Sequence, residues 1–158
     1  MSYRSVFKPG LLKGQTVVVT GGGSGIGRCT AHEIAGLGGH VVITGRKPEK
    51  LGVVKAEIEA AGGSCESHTF DIREEAQVKE AVGKIVAANG HIHGLFNNAG
   101  GQFPSPAATM SAKGFDVVVR NNLTGGFIVS REVFTQSMEK HGGSIVNMAA
   151  DMRNGFPN

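Results

Sequence analysis

The β-branched run Thr16-Val17-Val18-Val19-Thr20 leads straight into Gly21-Gly22-Gly23-Ser24-Gly25-Ile26-Gly27, and this junction constrains the fold more than any other part of the chain. A short apolar run of this kind reads as a strand buried on both faces, as in parallel sheets. The glycines permit positive φ, let an anion come close to the backbone, and let the next helix pack tightly on the strand. From Gly25 to Leu37 the residues Ile26, Ala31, Ile34, Ala35 and Leu37 fall at helical spacing, so a helix opens directly out of the loop. Its free N–H groups and the positive end of its dipole then face whatever the loop holds, which suits a phosphate.

The pattern repeats along the chain. Gly38-Gly39 closes the first helix, and a second strand follows at His40 to Thr44. Pro48 opens a helix with Leu51, Val54, Ile58 and Ala61 on one face, ended by Gly62-Gly63. A third strand from Cys65 to Phe70 closes on Asp71, Glu74 and Glu75 mark a helix first turn, and Val78, Val82, Ile85 and Val86 repeat at helical spacing. A fourth strand is expected from Ile92 to Phe96. A loop through Gln102-Phe103-Pro104-Ser105-Pro106 precedes a long helical stretch whose later part runs from Val118 to Glu139, and Gly142-Gly143 introduces a fifth strand, Ser144 to Met148. Strict alternation predicts an α/β fold, a doubly wound Rossmann-type parallel sheet with right-handed crossovers and strand order 3-2-1-4-5, in a single domain over residues 1–158.

Composition excludes several other classes. The 25 glycines follow no period, which removes collagen-like and linker readings. A net charge of +3, with one Tyr and no Trp, gives neither the basic patch nor the aromatic platform that nucleic acid requires. No segment has the length and hydropathy of a membrane span or a signal peptide, so a soluble, cytoplasmic protein is expected. Cys29 and Cys65 have no metal or redox spacing and are expected to be small buried residues. The six histidines form no helical metal pair, and no metal site is expected.

The loop spacing is Gly21-x-x-x-Gly25-x-Gly27, and Asp71-Ile72, Asn97-Asn98-Ala99-Gly100 and Asn122-Leu123-Thr124-Gly125 follow in order. Together these segments resemble the short-chain dehydrogenase/reductase family over nearly the whole chain. The resemblance implies dinucleotide binding at Gly21, Ser24, Gly25, Ile26 and Gly27, an adenine contact at Asp71 and Ile72, further contacts at Asn98, Ala99 and Gly100, and a catalytic role for Asn122. The second strand ends Thr44-Gly45-Arg46-Lys47 with no carboxylate until Glu49. A carboxylate there would hold a ribose 2′-hydroxyl, whereas Arg46 suits a 2′-phosphate. NADP(H) is therefore expected over NAD(H), unless Arg46 and Lys47 are only solvated charges.

The resemblance also implies a catalytic Tyr with a Lys four residues later, because an unperturbed tyrosine near pKa ~10 is a poor base at neutral pH. The only tyrosine here is Tyr3, no Tyr-x-x-x-Lys occurs, and the family's serine position holds Ala150, followed by Asp151. The chain is expected to be a fragment of a longer enzyme, since its apolar fifth strand would otherwise be an unguarded edge; the alternative is a non-catalytic truncated dinucleotide-binding or interaction module. Asn97 to Pro106, Gly142 to Asn147 and Gly155-Phe156-Pro157 are similar to a subgroup, the peroxisomal trans-2-enoyl-CoA reductases and bacterial citronellol-catabolism dehydrogenases, in which the serine is also lacking. The implied substrates are a 2-enoyl-CoA or a terpenoid alcohol or aldehyde, and the segment Gln102 to Ala107 either walls the substrate pocket or only connects elements. A homo-oligomer is expected for the full-length protein. Peroxisomal targeting, relevant for a eukaryotic source, turns on a C-terminal address.

Overall fold

The computed structural model describes residues 5–102 and 105–150. Tyr3, Phe103-Pro104, Asp151 and Gly155-Phe156-Pro157 lie outside the described residues. The elements alternate as β1 (Thr16–Thr20), α1 (Gly25–Gly36), β2 (His40–Gly45), α2 (Pro48–Ala60), β3 (Ser64–Thr69), α3 (Glu75–Asn89) and β4 (Gly94–Asn97). A 3₁₀ turn, Ala107–Thr109, precedes α4 (Ala112–Val119), α5 (Gly125–Val133) and α6 (Glu139–His141), and β5 (Ser144–Asn147) ends the series. The five strands form one sheet in the order β3-β2-β1-β4-β5, all neighbours parallel, which is the doubly wound arrangement the alternation predicts.

Side chains of period two divide the core between the sheet faces. Val18, Val42 and Leu95 point to one side and pack with Val78, Val82 and Ile85 of α3 and Ile128, Val129 and Val133 of α5. Val19, Val41 and Ile43 point to the other and pack with Ala31 and Ile34 of α1 and Leu51, Val54 and Ile58 of α2. α1 stops because Gly38, at φ 85°, takes a left-handed conformation, and the N–H groups of Gly38 and Gly39 close on Ala35 and Ile34 carbonyls at 3.0 Å each.

Three expectations need correction. Ile26 is exposed rather than part of the α1 core face, because that face is formed by Gly27, Ala31, Ile34 and Ala35. Cys29 is exposed as well, on the outward side of α1, whereas Cys65 is buried on β3; burial pushes the Cys65 thiol up to about 11. The fourth strand starts at Gly94 rather than Ile92, since the Ile92 N–H is taken by the Ser137 hydroxyl at 2.9 Å.

The long helical stretch begins at Ala112. The Ser111 hydroxyl accepts the Gly114 N–H at 3.1 Å and caps α4. From Ala112 to His141 the helix continues through two π-helical turns, Arg120–Thr124 and Phe134–Met138. All four residues of β5 are exposed. Among the described residues, no helix is long and apolar enough to cross a membrane.

Candidate functional site

The glycine loop crosses the carboxyl ends of the central strands, where ligands bind in open α/β sheets. Gly21 sits at φ 69°, a conformation open mainly to glycine, and the Gly22 N–H donates to the Thr44 carbonyl of β2 at 3.1 Å. The loop has no room for a side chain at Gly22 or Gly27: a Cβ on Gly22 would stand 2.6 Å from Ile43 Cβ, and one on Gly27 2.3 Å from the Gly21 carbonyl oxygen and 2.6 Å from Asn98 Nδ2. α1 therefore starts hard against the strand end. Its N-cap, Ser24, makes no side-chain capping bond, and its first turn carries no acidic residue. The N-terminal N–H groups and the dipole thus keep their positive potential toward the groove.

That groove, of about 290 Å³, brings together Gly21, Ser24, Arg46, Asp71, Ile72, Asn98, Ala99 and Gly100. Gly25 and Gly27 do not line it; Gly25 turns the chain at φ 53° and Gly27 lies beneath the loop. Lys47 and Lys50 line it together with Arg46. The Asp71 carboxylate is gripped by Arg73, through Nε at 2.9 and 3.1 Å and Nη2 at 2.5 Å. The Arg73 guanidinium, with a smaller contribution from the charge of Arg46, holds the Asp71 carboxyl below its usual range. Asp71 is thus already partnered inside the chain, a pairing that the sequence did not reveal.

The loop after β4 is fastened to β1 by Thr20. Its hydroxyl oxygen accepts the N–H groups of Asn98 and Ala99, both at 2.9 Å, and Asn98 Nδ2 donates to the Thr20 carbonyl at 3.1 Å. On the far side of that loop a second groove, of about 470 Å³, is lined by Ile26, Asn122, Asn147 and Ala150 among others, and shares Asn98, Ala99 and Gly100 with the first. Asn122 lies in the π-turn Arg120–Thr124. Its Oδ1 accepts the Gly101 N–H at 3.0 Å, while its Nδ2 donates to the carbonyls of Gly101 at 2.8 Å and Val118 at 2.9 Å. The widened turn lets one amide bridge its own helix and the Gly100-Gly101 loop. Gln102 also lines this groove, which places one end of the Gln102–Ala107 segment there. Among the described residues, none that lines the second groove carries a titratable side chain.

Several groove residues escaped the sequence reading. Lys47 and Lys50 line the first groove, and the signal for them was their place at the start of the helix that Pro48 opens. Asn121 lines it from the π-turn, for which no sequence signal exists. His91 and His93 stack at 3.9 Å, with His141 centred 4.8 Å from His91. Among the described residues, no group of His, Cys, Asp and Glu could hold a metal ion.

The profile of the family described as short chain dehydrogenase matches residues 15–155. The citronellol catabolism dehydrogenase AtuB of Pseudomonas aeruginosa PAO1 is 62% identical with a TM-score of 0.93, over 98% of this chain and 64% of that one. A metagenomic short-chain oxidoreductase solved in complex with NADP is 35% identical with a TM-score of 0.83, over 92% of this chain and 66% of that one. The peroxisomal 2,4-dienoyl-CoA reductase of Mus musculus is 36% identical over 95% of this chain and 52% of its own length. The chain spans about half the length of the curated relatives it matches.

Proposed function

The chain belongs to the short chain dehydrogenase family, and we propose that it is the dinucleotide-binding part of an NADP(H)-dependent oxidoreductase acting on a terpenoid alcohol or aldehyde, or on a 2-enoyl-CoA. The observation that carries the cofactor reading is the groove lining of Arg46 and its neighbouring lysines with no carboxylate at the end of β2. The residues fit such a group: a loop without room for a side chain at Gly22 or Gly27 receives the pyrophosphate, and Arg46 offers a planar fork to the 2′-phosphate. Asp71 and Ile72 would face the adenine, and Ile26, Asn98, Ala99 and Gly100 would carry the cofactor across to the second groove.

A dinucleotide held there would supply the hydride chemistry. The chain's own contribution in the second groove is positioning. Asn122 pins the Gly100-Gly101 loop through two hydrogen bonds to Gly101 and is itself anchored to its helix by a third to Val118, and Ala150 presents a methyl group where a hydroxyl would polarise a carbonyl. The amide and apolar lining orients a substrate and transfers no proton itself. Identity of 62% to AtuB supports a terpenoid substrate; the dienoyl-CoA reductases, at 36% for the mouse protein, support an acyl-CoA. The amide and apolar lining that the described residues give the second groove supports a second reading, in which the chain binds a dinucleotide without turnover. Self-association is also proposed for the natural protein, supported by Leu123, Phe127 and Phe134, which stand exposed along one continuous helix.

The test uses the natural polypeptide, assayed with NADP+ and citronellol and with NADPH and a trans-2-enoyl-CoA. Turnover with one pair selects its substrate class, and tight NADPH binding with neither reaction selects the binding module. Replacing Arg46→Asp should weaken NADPH roughly tenfold or more while improving NADH; an unchanged ratio removes Arg46 from the cofactor argument.

A further inference from the structure

The segment that follows β3 touches the π-turn Arg120–Thr124 at both of its ends. Ile72 is almost fully buried and packs in the core that holds Ile128 and Val129 of α5, and it also lines the first groove. Its side chain fits against Gly125, the residue that opens α5. A Cβ added to Gly125 would stand 2.8 Å from both Cγ1 and Cδ1 of Ile72. One residue on, the Arg73 carbonyl accepts a hydrogen bond from the Arg120 guanidinium at 3.3 Å. Arg73 in turn grips Asp71, which lines the same groove.

Gly125 has two tasks at one place. Its N–H closes the π-turn on the Arg120 carbonyl, and its bare Cα admits Ile72. Between these anchors the turn presents Asn121 to the first groove and Asn122 to the second. A π-turn is rare in a helix left to itself, so contacts from outside the helix decide whether it keeps its shape. Ile72 and the Arg73 carbonyl supply two such contacts, and the bonds between Asn122 and Gly101 supply the others. Side chains packed this closely transmit a displacement rather than absorb it.

We propose that Ile72 is a positioning residue: packed between the first groove and Gly125, it sets the π-turn that seats Asn122 in the second groove. This coupling rests on the dinucleotide reading and extends it from two separate grooves to two linked ones. A ligand that covers Ile72 from the groove side stops the side chain from withdrawing, so Gly125 and the turn it closes are held more firmly. The gain reaches the hydrogen bond from the Gly101 N–H to Asn122 Oδ1, 3.0 Å long. It does so even for a ligand that fills only the adenine end. Asn122 is fully seated once that end is occupied.

The experiment follows exchange of the Gly101 amide hydrogen by NMR in the natural polypeptide, without ligand and with saturating ADP, whose binding is measured by calorimetry. ADP carries the adenine and pyrophosphate of either nicotinamide cofactor but no nicotinamide. Its binding should slow Gly101 exchange roughly fivefold or more. Ile72→Ala, saturated with the same ligand, should lose that slowing. Gly125→Ala meets the contact from a residue that does not line the first groove, and it should speed Gly101 exchange without ligand. Adding Ile72→Val, which removes one of the two crowding atoms, should bring that rate back toward the original. ADP that binds without slowing Gly101 overturns the inference and leaves the dinucleotide reading standing. Equal slowing in Ile72→Ala also overturns it, since the ligand then acts through Asn98, Ala99 and Gly100, which line the first groove themselves. If Ile72→Ala no longer binds, Gly125→Ala decides, and unchanged Gly101 exchange in that variant overturns the inference. An original protein that binds no ADP removes the dinucleotide reading and this inference with it.

Discussion

The hydroxyl of Thr20 accepts the backbone N–H of Asn98 at 2.9 Å and, at the same distance, that of Ala99, tying the last residue of β1 to the loop after β4. Thr20 is almost completely buried, so no water replaces it readily. Thr20→Val keeps the shape and removes the acceptor, leaving two N–H groups unpaired at the junction of the two grooves. The expected cost is about 2–3 kcal/mol in folding stability, with a weaker hold on dinucleotide. Thr20→Ser, which keeps the oxygen, should lie within about 1 kcal/mol of the original protein. Urea unfolding of both variants checks the pair, and equal stability of Val and Ser would show that the hydrogen bonds carry no weight.

The order of the sheet was legible because β1 and β2 are β-branched runs and α1, α2 and α3 are each followed by glycine, so local signals and global topology agree. The glycine loop was legible for the same reason: its sequence position between β1 and α1 fixes its place at the strand ends. What periodicity missed has physical causes. A π-turn adds one residue to a hydrogen-bonded ring without any marker in composition, so Asn122 could be singled out by resemblance but its bridge to Gly101 could not. Ile26 and Cys29 sit on a helix whose apolar spacing is sound, yet the face turned to the sheet is that of Gly27, Ala31, Ile34 and Ala35. Lys50 was not singled out from the sequence, and the packing of its Cβ beside Gly23 brings it to the groove. Asp71 looked free until the fold turned Arg73 back onto it.

Two glycines separate packing from conformational freedom. Gly27 has no room for a Cβ, with Gly21 carbonyl oxygen 2.3 Å and Asn98 Nδ2 2.6 Å from where it would stand. Gly52, inside α2, has nothing within 4 Å. Gly27→Ala should therefore destabilise the protein by about 1–3 kcal/mol and abolish measurable dinucleotide binding. Gly52→Ala should stabilise it by about 0.5–1 kcal/mol and leave binding untouched. Thermal unfolding with and without NADPH reads both, and a tolerated Gly27→Ala would mean that the loop and α1 separate more easily than their contacts imply.

Asn122 is distinguished from a carboxylate by what it donates. Its Nδ2 serves the carbonyls of Gly101 and Val118, so Asn122→Asp places a negative oxygen against two carbonyl oxygens. Asn122→Ala removes the bridge without adding repulsion. The near-isosteric Asp variant should accordingly be at least as damaging as Ala. In the natural polypeptide both should lower turnover by roughly 10²-fold, the scale on which misplacement acts, with the NADPH dissociation constant changed far less. Full activity in Asn122→Asp would exclude the bridge as the working feature. A parallel loss of cofactor affinity would move the residue's role from the second groove to the first.

The foot of the sheet should respond to acid through His93. Its Nδ1 accepts the Thr16 N–H at 3.0 Å, while its backbone links β1 and β5 through the Thr16 carbonyl at 2.9 Å and the Ser144 N–H at 3.0 Å. A proton on Nδ1 would turn that acceptor into a donor facing a donor. Burial, and then the stacked ring of His91, hold the His93 pKa below its ordinary value near 6.5. The folded state thus binds the proton less readily than the unfolded chain. Its contribution is fully present above the unfolded value and is lost as pH falls through the depressed folded value. The urea midpoint should drop as pH falls from about 7 toward 5, by an amount set by one hydrogen bond, about 1 kcal/mol. His93→Asn offers an amide oxygen near the place of Nδ1 and does not titrate, so it should flatten that part of the pH profile. A profile equally steep in the variant would assign the acid response to other groups, of which Glu66 is the first to test, because its carboxylate binds His68 at 2.5 Å and Asn89 at 2.9 Å on the β3 edge.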